Sequence, residues 1–440
     1  MGDQDLKSLK ELGAEMYKWV VDLFPIHRSI TGLGVRQTLA YLKKINSELE
    51  IKSVPSGYKA FDWTVPKEWV IREAWIKDRF GNYIANISDN NLHIVGYSVP
   101  VDKIMPLAEL QEHLHSVPEK PNVIPYVTSY YEERWGFCLD HITRMKLTQG
   151  NYHVFIDSDL KSGLLNYGEL IIPGSTNDEI LLSTYVCHPS MANNELSGPV
   201  VSSALARWVY SLPKRRYTYR FIFIPETIGS LVYLSLNLPY LKKYVRAGYN
   251  VTCVGDDRSF SYLPSRAGGT ISDRAALCAL RCVAGTWTTY SWLERGSDER
   301  QYCAPGIDLP IATIMRTKYG AYPEYHTSAD NLDFVSPDGL SGGFQVLKTA
   351  LLTLERNSFP LAKLLGEPQL STRGLRSSLS KVGSQVEFKG IVDILSLADG
   401  RTDTIEISKI TGLSVIEVNH LVRTLSDADL LDLSPNPICT

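Results

Sequence analysis

The chain has 440 residues, 44% of them hydrophobic and 21% charged, an ordinary globular composition longer than one typical domain. A net charge of −3 gives no electrostatic footprint for nucleic acid or an acidic membrane, and no apolar run reaches the ~18 residues that span a bilayer. The opening residues show no basic run followed by an apolar stretch, and seven cysteines make an odd set, so a reduced cytoplasmic protein is expected, with homo-oligomerisation open.

Leu6 to Leu49 is rich in helix formers, with Leu12, Met16, Trp19, Val20 and Leu23 at helical spacing. Pro25 and Ser29-Ile30-Thr31-Gly32-Leu33-Gly34 interrupt it, and 35–45 reads as a second helix. Beyond Ile51 come short β-branched and aromatic runs, such as Trp69-Val70-Ile71 and His93-Ile94-Val95, split by Gly81-Asn82 and Asp89-Asn90-Asn91. They predict a small all-β inserted domain over 56–124. From about Tyr152 strands alternate with helices: strands at 152–156, 168–172, 179–185, 217–224, 250–254 and 311–315, helices at 198–212 and 231–241. The run 179–185 is nearly continuous in apolar character, as a strand covered on both faces is. The pattern predicts an α/β fold, a mostly parallel sheet with helices on both faces, built discontinuously from 1–55 and 125–370.

Beyond Arg356 a linker rich in Pro, Gly and Ser extends to about Gly383. Helices at 388–397, 405–411 and 415–425, with Ser414 placed to cap the last, predict a winged helix-turn-helix domain over 380–440. The third helix offers only His420 and Arg423 beside Glu417, so nucleic acid is not the expected partner and docking is. Cys278 and Cys282, one helical turn apart, read as buried small hydrophobes.

The candidate chemistry sits just past strand ends, where α/β enzymes build sites. His188 follows the strand ending at Tyr185 and leads into the polar run Asn193-Asn194-Glu195 before Ser197-Gly198, a metal-ligand layout or a capped helix start. Glu226 follows the strand ending at Ile224, as a general base or a partner of the helix dipole. Asp256, in Gly255-Asp256-Asp257, and His326, ahead of Ser328 and Asp330, complete the set. Tyr126 to Trp135 is an aromatic stretch that would suit a substrate entrance, with Arg134 as a carboxylate or phosphate contact, although aromatics at a domain boundary more often serve packing.

The order of these groups resembles the cocatalytic zinc aminopeptidases of metallopeptidase family twenty-eight. Arg28-Ser29-Ile30-Thr31-Gly32, Cys187-His188-Pro189-Ser190, Pro225-Glu226-Thr227-Ile228-Gly229-Ser230 and Glu324-Tyr325-His326-Thr327-Ser328 are similar to a bacterial aminopeptidase-like group with an inserted β domain and a terminal winged helix, sometimes found with polysaccharide biosynthesis genes. The resemblance implies that His188, Asp256 and His326 are metal ligands and Glu226 the general base. The bridging acidic ligand falls at Asn194 and a further glutamate ligand at Thr227, so two carboxylates that hold a zinc pair are replaced. Two close cations need several negative ligands, and the implied cofactor is therefore about one zinc per chain, held by His188, His326 and either Asp256 or Glu195. The expected activity is hydrolysis of an amide or peptide bond in a peptide or small molecule, a sugar-linked biosynthetic intermediate included, with Glu226 moving the proton. A non-catalytic binding protein on a degraded peptidase fold is the other reading.

Overall fold

In a computed structural model of the chain, which describes residues 3–373, 375, 382–435 and 437 (without the side chains of 3–6 and 382–387), the apolar run at 179–185 is the fully buried strand Glu179–Tyr185. The first two residues, the last of the seven cysteines (Cys439) and the linker positions 374 and 376–381 lie outside these residues. Two units divide the chain: Met1–Thr270 with Trp287–Gln345, and Ile271–Thr286 with Val346–Thr440.

The first unit holds an eight-stranded sheet, ordered Glu50–Pro55, Leu164–Ile172, Thr218–Ile224, Glu179–Tyr185, Val245–Asn250, Ile311–Met315, Ser261–Leu263 and Thr288–Thr289. From Thr218–Ile224 to Ile311–Met315 neighbours run parallel. Leu164–Ile172 and Ser261–Leu263 close this parallel centre with antiparallel pairs. Parallel neighbours need crossovers, supplied by the helices Ser197–Ser211 and Ile228–Tyr244. Leu181, Tyr185, Ile222 and Ile224 share one apolar cluster with Ile228, Leu231 and Val232, which fixes the second crossover against the sheet. The fold is thus α/β with a large mixed sheet, parallel at its centre.

Two strands differ from expectation. The strand expected at 250–254 is Val245–Asn250, and the chain turns away after Asn250. Arg246 and Gly248 mask it in the sequence; a Cβ at Gly248 would lie 2.4 Å from the Leu181 carbonyl, so close strand packing demands glycine there. The segment at 152–156 belongs to Asn151–Lys161, which pairs with Glu68–Lys77 and Val101–Pro106 in a separate four-stranded sheet completed by Tyr83–Asn86. Its burial alternates through Tyr152, Val154, Ile156 and Ser158, the mark of a strand with one covered face rather than of the central sheet.

In the second unit, helices Val382–Leu397, Thr404–Thr411 and Val415–Asp427 bury Ile391, Ile394, Ile407, Val418 and Leu425 together. Gly412, at φ 74°, closes one helix, and Ser414 with Glu417 forms a capping box on the next. Leu431–Ser434 pairs antiparallel with Phe359–Ala362, so the segment just beyond Arg356 is a strand of this module rather than linker. Cys278 is buried as expected, but Cys282 is exposed.

Asp403 caps the helix Thr404–Thr411 through the Glu406 amide, receives Asn357, and takes a two-point contact from Arg274 at 2.9 and 2.7 Å. Burial pushes this carboxyl up, yet the Arg274 guanidinium and the amide outweigh it and hold it below the usual range. The contribution is complete above about pH 4 and fades as pH falls through the lower folded value. Arg274→Ala is expected to cost about 1–3 kcal/mol at pH 7, since the arginine is partly solvated. Urea unfolding between pH 7 and 3 checks it: the gap between wild type and variant should narrow at the acid end.

Candidate active site

Tyr185 and Ile224 are register partners on parallel neighbours, so the residues that follow them emerge side by side at one end of the sheet. Beyond Tyr185 come Cys187 and His188; beyond Ile224 come Pro225, Glu226 and Thr227. Between His188 and the crossover lies one π-helical stretch, Ala192–Leu196, a local widening frequent at functional sites. The Asp330 carboxylate receives the amides of Asn193 and Asn194 and anchors it. Gly198 then enters the helix at close range, since a Cβ there would lie 2.4 Å from both Thr184 Oγ1 and the Val251 carbonyl.

His188 is 4% exposed, and both of its ring nitrogens face carboxylates. Nδ1 lies 2.8 Å from Glu195 Oε2, and Nε2 lies 3.5 Å from Glu226 Oε2. Glu195 is fully buried, and Arg28 stands behind it: Nε is 3.7 Å from Glu195 Oε1 and donates to the His188 carbonyl at 2.9 Å. A buried arginine, a buried glutamate and the imidazole therefore form a chain that fixes the ring, with Nε2 turned toward Glu226. Burial disfavours the imidazolium, but the neighbouring Cys187 and Glu195 more than offset it and raise His188 well above its ordinary value. Of these two, Glu195 is the effective partner at neutral pH, because burial pushes the Cys187 thiol up to about 11 and leaves it uncharged.

His326 faces His188 with ring centroids 5.5 Å apart, and Tyr126 lies edge-on to both at 5.2 and 5.3 Å. The residue has φ 54°, its carbonyl receives the Tyr126 amide, and its ring stacks on Tyr325 at 3.9 Å. Burial and then the His188 charge push it down to about 3, so it is a neutral imidazole. Among the described residues, neither of its ring nitrogens has a hydrogen-bond partner. Burial raises the Glu226 carboxyl, opposed by His188 and Arg300.

These groups line a cavity of about 400 Å³ together with Ile30, Trp63, Tyr126, Tyr130, Tyr131, Cys187, Thr227 and Arg300. Thr227 holds a left-handed backbone, φ 64°, which its amide bond to Asp298 Oδ1 and an Arg300 hydrogen bond to Oγ1 sustain. Burial and the Glu226 charge push Asp298 up to about 7.

Of the residues singled out in the sequence, His188, Glu226 and His326 meet in this cavity; Asn194 and Asp256 do not line it. Asp256 has its oxygens engaged by the Thr317 amide and hydroxyl, the Arg258 amide and Asn193 Nδ2. It lies beyond a strand that already ended at Asn250, which is why a strand-end argument misplaces it. Asn194 donates to the Tyr185 hydroxyl at 2.7 Å. Glu195, the alternative ligand, does not line the cavity; it contacts His188 Nδ1 and forms with Cys187 and His188 a group whose ligand atoms lie within 4.8 Å of one another. Arg134 is half-exposed, bonded to the Thr128 carbonyl and not itself a lining residue, whereas Tyr126, Tyr130 and Tyr131 of the same stretch line the cavity. Asp298 and Arg300 reach Thr227, and Arg28 reaches Glu195, through contacts distant in sequence, which composition could not reveal.

Fold and site together define an aminopeptidase-like α/β protein with a terminal winged helix. The family described as a domain of unknown function, DUF4910, matches residues 17–357, and a winged helix-turn-helix family matches 359–433. The chain belongs to the DUF4910 family. A Clostridium acetobutylicum protein, provisionally named a polysaccharide biosynthesis protein with an aminopeptidase-like domain, is 40% identical over 97% of this chain and 98% of its own length. A crystal structure from that organism, provisionally named a peptidase, superposes with a TM-score of 0.92 at 39% identity, covering 98% of this chain and 99% of that one. The Bacillus subtilis zinc aminopeptidase shares the fold at a TM-score of 0.55 and 12% identity, over 77% of this chain and 94% of its own. A Shewanella amazonensis peptidase M28 precursor does so at 0.55 and 12%, over 79% and 96%.

Proposed function

We propose that the chain is a zinc-dependent hydrolase of an amide or peptide bond in a small molecule, sugar-linked biosynthetic intermediates included. The observation that carries this reading is the donor set: an imidazole fixed by Glu195 with Nε2 toward Glu226, and a neutral His326 without a hydrogen-bond partner across the same cavity. Two imidazoles facing one cavity are the donors a single zinc would take, with Glu226 beside them as proton carrier rather than ligand. Glu226 is the one carboxylate among the described lining residues, so a second ion lacks the negative ligands to offset its repulsion. His188 and His326 would hold the metal, and Glu195 with Arg28 would keep His188 in the ligating tautomer. Bound there, zinc supplies an acidified water and a polarised carbonyl. Glu226 would take a proton from the attacking water on Oε2 and pass it to the leaving nitrogen. The aromatic walls exclude bulk water from the exchange. The sugar-linked class is supported by the name of the Clostridium relative.

The test is the zinc content of purified wild type and His188→Ala. About one zinc per chain in wild type, lost in the variant, is the expected result. No metal after exposure to zinc salts overturns the hydrolase reading and leaves a binding protein on the same fold.

A further inference from the structure

The cavity contains a cation that makes no ion pair among the described residues. Arg300 lines it beside Thr227, and its single side-chain hydrogen bond among the described residues is the 2.6 Å contact from NH2 to Thr227 Oγ1. Nε is buried without a partner, and among the described residues no carboxylate oxygen lies within ion-pair distance of the guanidinium. By contrast, Arg220 on the central sheet meets Glu169 and Glu179 at 2.7 Å. A half-buried guanidinium with a buried, unpartnered Nε and no ion pair is placed to receive a ligand anion. The surrounding groups restrict the ligand further. Glu226 and Asp298 lie near without bonding to Arg300, and Asp298 is engaged by the Thr227 amide and Ser230 Oγ. The rest of the wall is apolar or aromatic: Ile30, Ile228, Tyr126 and Tyr130, with Trp63 and Tyr131 packed edge to face at the rim. The hydroxyls of Tyr126 and Tyr130 satisfy each other at 2.6 Å and present ring surface to the ligand.

From this arrangement we infer that the substrate is an acylated amine bearing a carboxylate and an apolar or aromatic body, with Arg300 anchoring the carboxylate beside Glu226. The inference rests on the proposed hydrolytic centre for the word substrate, and on Arg300 alone for the charge. A free α-ammonium group placed at Arg300 would be repelled by the guanidinium. Arg300 is thus a specificity residue: a planar two-point donor for a planar anion, a geometry that lysine reproduces only in charge.

The test is binding, which needs no turnover. The full-length, zinc-equilibrated protein is titrated with N-acetyl-L-phenylalanine, its neutral amide N-acetyl-L-phenylalaninamide, and the cation L-phenylalaninamide, read by calorimetry. The acid is expected to bind at least about tenfold more tightly than either of the others, as a charge-assisted contact supplies. Arg300→Gln is expected to abolish that preference with the affinity for the neutral amide unchanged, and Arg300→Lys to restore part of it; a thermal melt matching wild type certifies each fold. Equal binding of the three probes, no binding of the acid at millimolar concentration, or a preference that survives Arg300→Gln overturns the inference. A clear acid preference in a protein that holds no zinc would sink the hydrolase reading alone and keep Arg300 as an anion receptor.

Discussion

Glu226→Gln is expected to lower turnover of any amide substrate by about 10²–10⁴-fold, the usual worth of a positioned proton carrier. The substitution keeps the shape of the side chain and removes the one lining carboxylate that can accept a proton. Zinc content should stay near the wild-type level, because both imidazoles remain and Glu195 still holds His188 at Nδ1. The melting temperature should not fall, since Glu226 makes no salt bridge to an arginine or lysine. Steady-state kinetics with elemental analysis of the same preparation separates the outcomes. Turnover within tenfold of wild type, with metal intact, shows that another group moves the proton.

Arg220→Ala is expected to destabilise the first unit by about 3–5 kcal/mol, a large share of the stability of an ordinary domain. Arg220 sits on the strand Thr218–Ile224 between Glu169 and Glu179 on the neighbouring strands, and its bond to Glu179 is two-pronged at 2.7 and 2.9 Å. Tyr233 from the second crossover joins the same cluster at 2.9 Å. All three charged residues are buried, so losing the arginine leaves two carboxylates facing each other without their shared counterion. Lys52 reaches Glu169 from the edge strand and softens the loss on that side only. Urea unfolding at pH 7 measures the difference. An effect below about 1 kcal/mol would mean that the sheet admits water at this point and that the cluster is effectively solvated.

The chain order of apolar runs and turn residues was enough to read much of the fold. Uninterrupted burial at 179–185 and 218–224 demanded covered, parallel strands, and Ser414 with Glu417 announced the last helix. Where polar residues or glycine entered a strand the reading failed, as with Val245–Asn250, whose Gly248 is required by a neighbouring backbone. The strand Phe359–Ala362 was also hidden, because a short edge strand differs little in composition from a linker and is defined by its partner Leu431–Ser434.

The site divides in the same way. His188, Glu226 and His326 were legible because a histidine or glutamate directly beyond a buried strand or in a loop rich in small polar residues has few local uses. Their separation of 3.5 Å between Nε2 and Oε2, and 5.5 Å between rings, was settled by the parallel register of Tyr185 with Ile224 and by the Tyr126 contact to the His326 backbone. Asp256 shows the converse: its residue type suited a ligand, but four hydrogen bonds from its own surroundings consume its oxygens. Sequence determined which side chains with the right chemistry stand at strand ends, because strand burial and residue type are local properties. Tertiary structure alone decided which of them share a cavity, that Glu195 and Arg28 serve His188, and that Arg300 enters without a carboxylate partner, because each depends on contacts between segments far apart in the chain.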